Sequence, residues 1–152
     1  MKISLPVGAW ILLRLITSFC GVFGFSIMFN SPVRLAATAA GIGAIANTLR
    51  LEMVDMTAIP PAGAAFVGAL TAGILASLIK SKVGYPRISL TVPSIVIMVP
   101  GMYLYRGFYN LGIMSLGPAA SWFASAILII AALPLGLIFA RILTDRTFRY
   151  CT

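Results

Sequence analysis

Histidine is absent from this 152-residue chain, and acids are nearly so: three Asp and Glu stand against eleven Lys and Arg. Without histidine the sequence lacks the commonest metal ligand, the side chain that titrates near neutral pH and the usual general base. Cysteine is scarce as well. Cys20 lies inside the first apolar run and Cys151 at the end of the chain, with no CxxC or zinc spacing and no disulfide framework. No nucleophile sits beside a base, and there is no Walker loop or metal cluster, so the residues argue against an enzyme and call for no cofactor. Charge of either sign is low, at 9% of residues, so the polar shell of a soluble domain is missing.

What is present is apolar sequence, 61% of the chain, in runs close to the ~20 residues that cross a bilayer. The expectation is an all-α integral membrane protein, a single membrane domain with about five transmembrane helices near residues 7–29, 33–49, 60–79, 88–110 and 118–142. The first run continues through Phe29 with no A-x-A cleavage signature and reads as a retained helix rather than a signal peptide. The second is the weakest in hydropathy, and a four-helix count omits it. Its small residues recur every four, as in Ala36-Ala40-Ala44 and Ala39-Gly43-Asn47, a spacing that lets membrane helices approach closely. The third carries two such ridges, from Ala64 through Gly68 and Ala72 to Ala76 and from Ala65 through Ala69 and Gly73 to Ser77.

The net charge of +8 is scattered between apolar runs, as loop charges are, and is not interleaved with aromatics as base-stacking surfaces are. No nucleic-acid partner is expected. Placing Arg34, Lys80, Lys82, Arg87, Arg141, Arg146 and Arg149 on one side leaves Lys2, Arg50 and Arg106 on the other, seven against three. Positive-inside bias then puts the N-terminus outside and the C-terminus in the cytoplasm.

Polar residues within apolar runs carry the functional argument. Arg14 lies well inside the first run, where an arginine costs on the order of 3 kcal/mol and ordinarily faces a partner or water, the alternative being that it snorkels to the interface. Glu52 and Asp55, read as loop residues after the second run, are its first candidate partners and the candidate coupling carboxylates. The fourth run is broken by Pro93 and Pro100-Gly101. The prolines are seven apart, about two turns, and leave the carbonyls of Ser89 and Val96 without their usual partners. Interrupted membrane helices of this kind line transport routes, although a plain kink is the simpler reading. Beyond the break, Tyr103, Arg106 and Asn110 share a face that offers phenol, guanidinium and amide groups to a carboxylate-bearing solute; the alternative is an aromatic belt with a snorkelling arginine.

The stretch Gly24-Phe25-Ser26-Ile27-Met28-Phe29-Asn30-Ser31-Pro32-Val33-Arg34 and the stretch from Pro93 through Pro100-Gly101 to Tyr103, with the length and the order of spans, resemble the small subunit of the split threonine/serine exporter family of bacterial inner-membrane proteins. Single-chain exporters of that family contain two membrane halves, and this chain resembles the C-terminal half. The resemblance implies a second, separately encoded membrane subunit and an oligomer. It also implies export of a small carboxylate substrate, either a hydroxylated amino acid such as threonine or serine or a dicarboxylate such as succinate. The rival readings are a scaffold subunit whose partner holds the substrate and a channel of identical copies.

Overall fold

The structure, a computed structural model, describes residues 7–57 and 59–144. Lys2, Asp145, Arg146, Arg149 and Cys151 lie outside the described residues, as does the side chain of Lys82. Six helices and no strand occur among the described residues: α1 (Val7–Met28), α2 (Val33–Thr57), α3 (Pro61–Val83), α4 (Arg87–Val96), α5 (Gly101–Gly112) and α6 (Leu116–Thr144).

The helix ends follow local chemistry. Asn30 closes the first turn at a φ of 54°, a left-handed conformation that asparagine tolerates, and Pro32 then bars continuation of α1. Gly84, at a φ of 73°, caps α3 by donating its N–H to the Lys80 carbonyl at 3.1 Å. The second helix runs eight residues beyond the expected limit at residue 49, to Thr57. Leu49, Arg50, Leu51, Glu52 and Met53 are all good helix formers, and no breaker intervenes before Pro60-Pro61. Glu52 and Asp55 are therefore helical residues, one turn apart, and not loop residues as the sequence suggested.

Three helices are long and apolar enough to cross a membrane, at Gly8–Met28, Pro61–Lys80 and Leu116–Thr144. The pair α4 and α5, bent by 41°, makes a fourth if taken as one span. α2 is long enough, with 25 residues, but falls short on hydropathy. Its position explains the deficit. α2 packs on α1, α3 and α4, and its buried face runs from Leu35 to Thr48, so apolar side chains are needed on only a narrow outward strip.

Small residues set how closely the helices approach. A Cβ on Gly43 would meet Val22 Cγ2 at 2.7 Å and the Ser94 carbonyl oxygen at 3.0 Å, so α1, α2 and α4 converge on one hydrogen atom. At Gly136 a Cβ would lie 2.5 Å from the Phe66 carbonyl oxygen and 2.9 Å from Ala69 Cβ, which seats α6 against α3. Both ridges of α3 are filled within the chain. Gly68 backs onto Arg50 and Met98, and Gly73 onto Ala140. Many large apolar side chains of α1 and α6, among them Leu12, Ile16, Leu128 and Leu135, point outward, while Val22, Ile129 and Leu133 are buried.

Candidate functional site

The two prolines of the fourth segment behave differently. Pro93 is buried inside α4, which continues beyond it to Val96, whereas Pro100 ends the interruption as the residue before α5. Between them the chain tightens. The Met98 N–H donates to the Ile95 carbonyl at 2.9 Å, Val99 to Val96 at 3.1 Å and Gly101 to Val99 at 2.8 Å. The Val96 carbonyl, expected to be stranded by Pro100, is thus satisfied by a three-residue turn. The acceptor that leaves the segment is the Met98 carbonyl, and Arg50 Nη1 of α2 donates to it at 2.9 Å.

Arg50 lies where the sequence did not lead one to expect it. One residue past the expected end of the second span, it lies half-buried on α2 with its stem against Gly68 and its guanidinium on the break. Its signal was present in the ridge Ala39-Gly43-Asn47, which three residues further reaches Arg50.

Within one turn of Arg50, α2 carries two further buried polar residues. Asn47 Nδ2 donates to Ser18 Oγ of α1 at 2.9 Å, which ties the two helices together. Asn47 Oδ1, Thr48 Oγ1 and Arg50 Nε are buried with no hydrogen-bond partner among the described residues. Such groups cost about 1–3 kcal/mol each when left unsatisfied, and of the three it is Arg50 Nε that belongs to the side chain on the break. Below them, Ser94 Oγ approaches the Ala39 carbonyl at 2.9 Å and the Leu90 carbonyl at 2.6 Å, so one hydroxyl proton serves either α2 or its own helix.

One turn of α2 beyond Arg50, a second polar contact joins α2 to α1. Arg14 Nη1 donates to Glu52 Oε1 at 2.8 Å and Nη2 to Asp55 Oδ2. The sequence named these three residues, and the structure brings them together on the two helices. A guanidinium gripped by two carboxylates is charge-assisted at both nitrogens.

The face beyond the break is divided. The Tyr103 ring packs against the apolar core and lies 5.6 Å, centroid to centroid, from Trp122 of α6. Arg106 is exposed, with its guanidinium carbon 4.8 Å from the centroid of the same Trp122 ring, a cation–π contact. Asn110 Nδ2 turns back to the Arg106 carbonyl at 2.7 Å within α5. Tyr103 and Arg106 are therefore linked through Trp122. Arg14 stands apart from them, since α1 packs on α2 and α4 while α5 packs on α6.

These polar contacts lie on a chain that also matches a described family. No match is found among curated proteins or among solved structures. The sequence model of the family described as threonine/serine exporter, ThrE, covers residues 14–143, from the arginine paired with Glu52 and Asp55 to the last turn of α6, and the chain belongs to that family of transporters.

Proposed function

We propose that the chain is the small membrane subunit of a split secondary exporter. It passes a carboxylate-bearing metabolite, threonine or serine or a dicarboxylate such as succinate, outward across the bacterial inner membrane. The observation that carries this reading is the Arg50 guanidinium at the helix break, with its Nε unpartnered among the described residues. A guanidinium suits a carboxylate, which it can meet through two parallel hydrogen bonds. Tyr103, Pro100 and Gly101 border this site, and Pro93 holds α4 below it. Arg106 on Trp122, with Asn110 a turn further, stands at the outer mouth.

In this reading α2 is a fifth span whose polarity is covered by α1, α3 and α4. The basic helix ends face the cytoplasm, so the N-terminus is outside and the C-terminus inside. Glu52 and Asp55 are the coupling carboxylates: when they release Arg14, α1 and α2 are free to part on the outer side. A second membrane subunit resembling the N-terminal half of the exporter completes the transporter. The scaffold alternative loses its main support, because the small-residue ridges of α3 are filled by α2, the break and α6.

The test is export from vesicles containing both subunits. Arg50→Met is expected to abolish efflux of threonine and of succinate alike while the complex still assembles. Undiminished efflux from an assembled Arg50→Met complex removes Arg50 from the route.

A further inference from the structure

At the end of the bundle opposite Glu52 and Asp55, a pocket of about 400 Å³ opens between α3, α4 and α6. Lys80, Arg87 and Arg141, one cation from each of the three helices, line it together with Thr91. Arg87 Nη2 reaches the Gly73 carbonyl at 3.5 Å, so its guanidinium lies along α3 beneath the rim. Positive-inside bias asks only that cations lie at this end of the helices. It does not ask three helices to direct them into one cavity.

The remaining wall is apolar and outward-facing. Ile88 is 71% exposed and Ile138 51% exposed, and both line the pocket. An anion held here lies beside a surface suited to acyl chains. A lipid would cover it with acyl chains while its phosphate met the cations.

We propose that this pocket is an oxyanion site that takes the phosphate headgroup of an anionic membrane lipid, with acyl chains along Ile88 and Ile138. Basic pockets between membrane helices bind such headgroups, and a cavity of this size holds a phosphoglycerol group. The site is separate from the break at Met98 and does not depend on what the protein exports. It requires only that this end of the bundle reach the headgroup layer.

The experiment is native mass spectrometry of the purified full-length chain in detergent micelles, titrated with phosphatidylglycerol and with phosphatidylcholine. Phosphatidylglycerol is expected to bind at least tenfold more tightly, and Arg87→Gln/Arg141→Gln is expected to lose that preference. Arg34→Gln, an exposed arginine at the same end outside the pocket, should keep it. The exposed Arg141→Gln alone should weaken binding several-fold, which preserves the test if the double variant does not fold. Equal binding of the two lipids overturns the proposal, as does an equal loss in Arg34→Gln. Displacement of phosphatidylglycerol by millimolar succinate or inorganic phosphate would assign the pocket to a soluble anion and overturn the lipid assignment.

Discussion

Arg50 and Met98, 48 positions apart in the chain, meet through one hydrogen bond of 2.9 Å from a guanidinium to a backbone carbonyl. That carbonyl is exposed by the same interruption that ends α4 before Pro100. Replacing Arg50 by methionine keeps much of the stem and removes the donor, leaving a buried acceptor unmet at a cost of about 1–3 kcal/mol. Arg50→Lys restores a charge but not the planar fork, so it should recover melting temperature more fully than export. Melting in detergent and efflux from vesicles, measured on both variants, separate the two roles.

Gly43→Ala should destabilise by about 1–3 kcal/mol, because the new methyl meets Val22 Cγ2 at 2.7 Å and the Ser94 carbonyl oxygen at 3.0 Å. Shortening Val22 to alanine in the same chain should return only part of the loss, since the Ser94 backbone cannot retreat. Melting curves for the two singles and the double measure the recovered share.

Arg14, Glu52 and Asp55 form one ionic unit, so their substitutions should not add. Arg14→Gln leaves two like charges one turn apart on α2, and Glu52→Gln/Asp55→Asn leaves a lone guanidinium on α1. Each should lower stability more than the triple neutral variant does. If parting of α1 from α2 is required for export, an Arg14→Cys/Glu52→Cys disulfide should block efflux, and dithiothreitol should restore it.

Trp122→Ala removes the ring that Tyr103 and Arg106 share. The cation–π contact is exposed and worth about 0.5–1 kcal/mol, so the stability loss should come mainly from the buried aromatic contact. Arg106→Ala should therefore reduce export more than stability, and less severely than Arg50→Met does. Initial efflux rates alongside melting temperatures test this ordering.

Tags at the two termini should be accessible from opposite sides of the membrane, the N-terminal one from outside. Protease protection in oriented vesicles reads this directly. Finding both tags on one side rules out five crossings.

The sequence made some of this architecture readable, for local reasons. Prolines and glycines are strong punctuation, so the interruption at Pro100-Gly101 stood out without any knowledge of neighbours, and a lone arginine in an apolar run pointed to the few acids available. The far half of α2 was hidden because hydropathy averages over a window and reads Asn47, Thr48, Arg50, Glu52 and Asp55 as the start of a loop. Hydropathy assumes that a helix meets lipid, and α2 meets protein on three sides. Nor can spacing along one helix reveal a partner such as the Met98 carbonyl, which becomes an acceptor for α2 only once α4 and α2 are packed at Gly43. The same limit applied to Tyr103, Arg106 and Asn110, which share a helical face but point to a core, a tryptophan and their own backbone.

The enclosure of α2 bears on how the protein enters the membrane. A segment too polar to partition alone gains little from leaving the insertion machinery before its neighbours do. With Arg14 clasped by Glu52 and Asp55, the first two helices can enter as a hairpin in which Arg14 does not cross hydrocarbon as an isolated charge. Severing that clasp would then be felt first in biogenesis, as slower or inverted insertion of the hairpin, before any substrate is encountered.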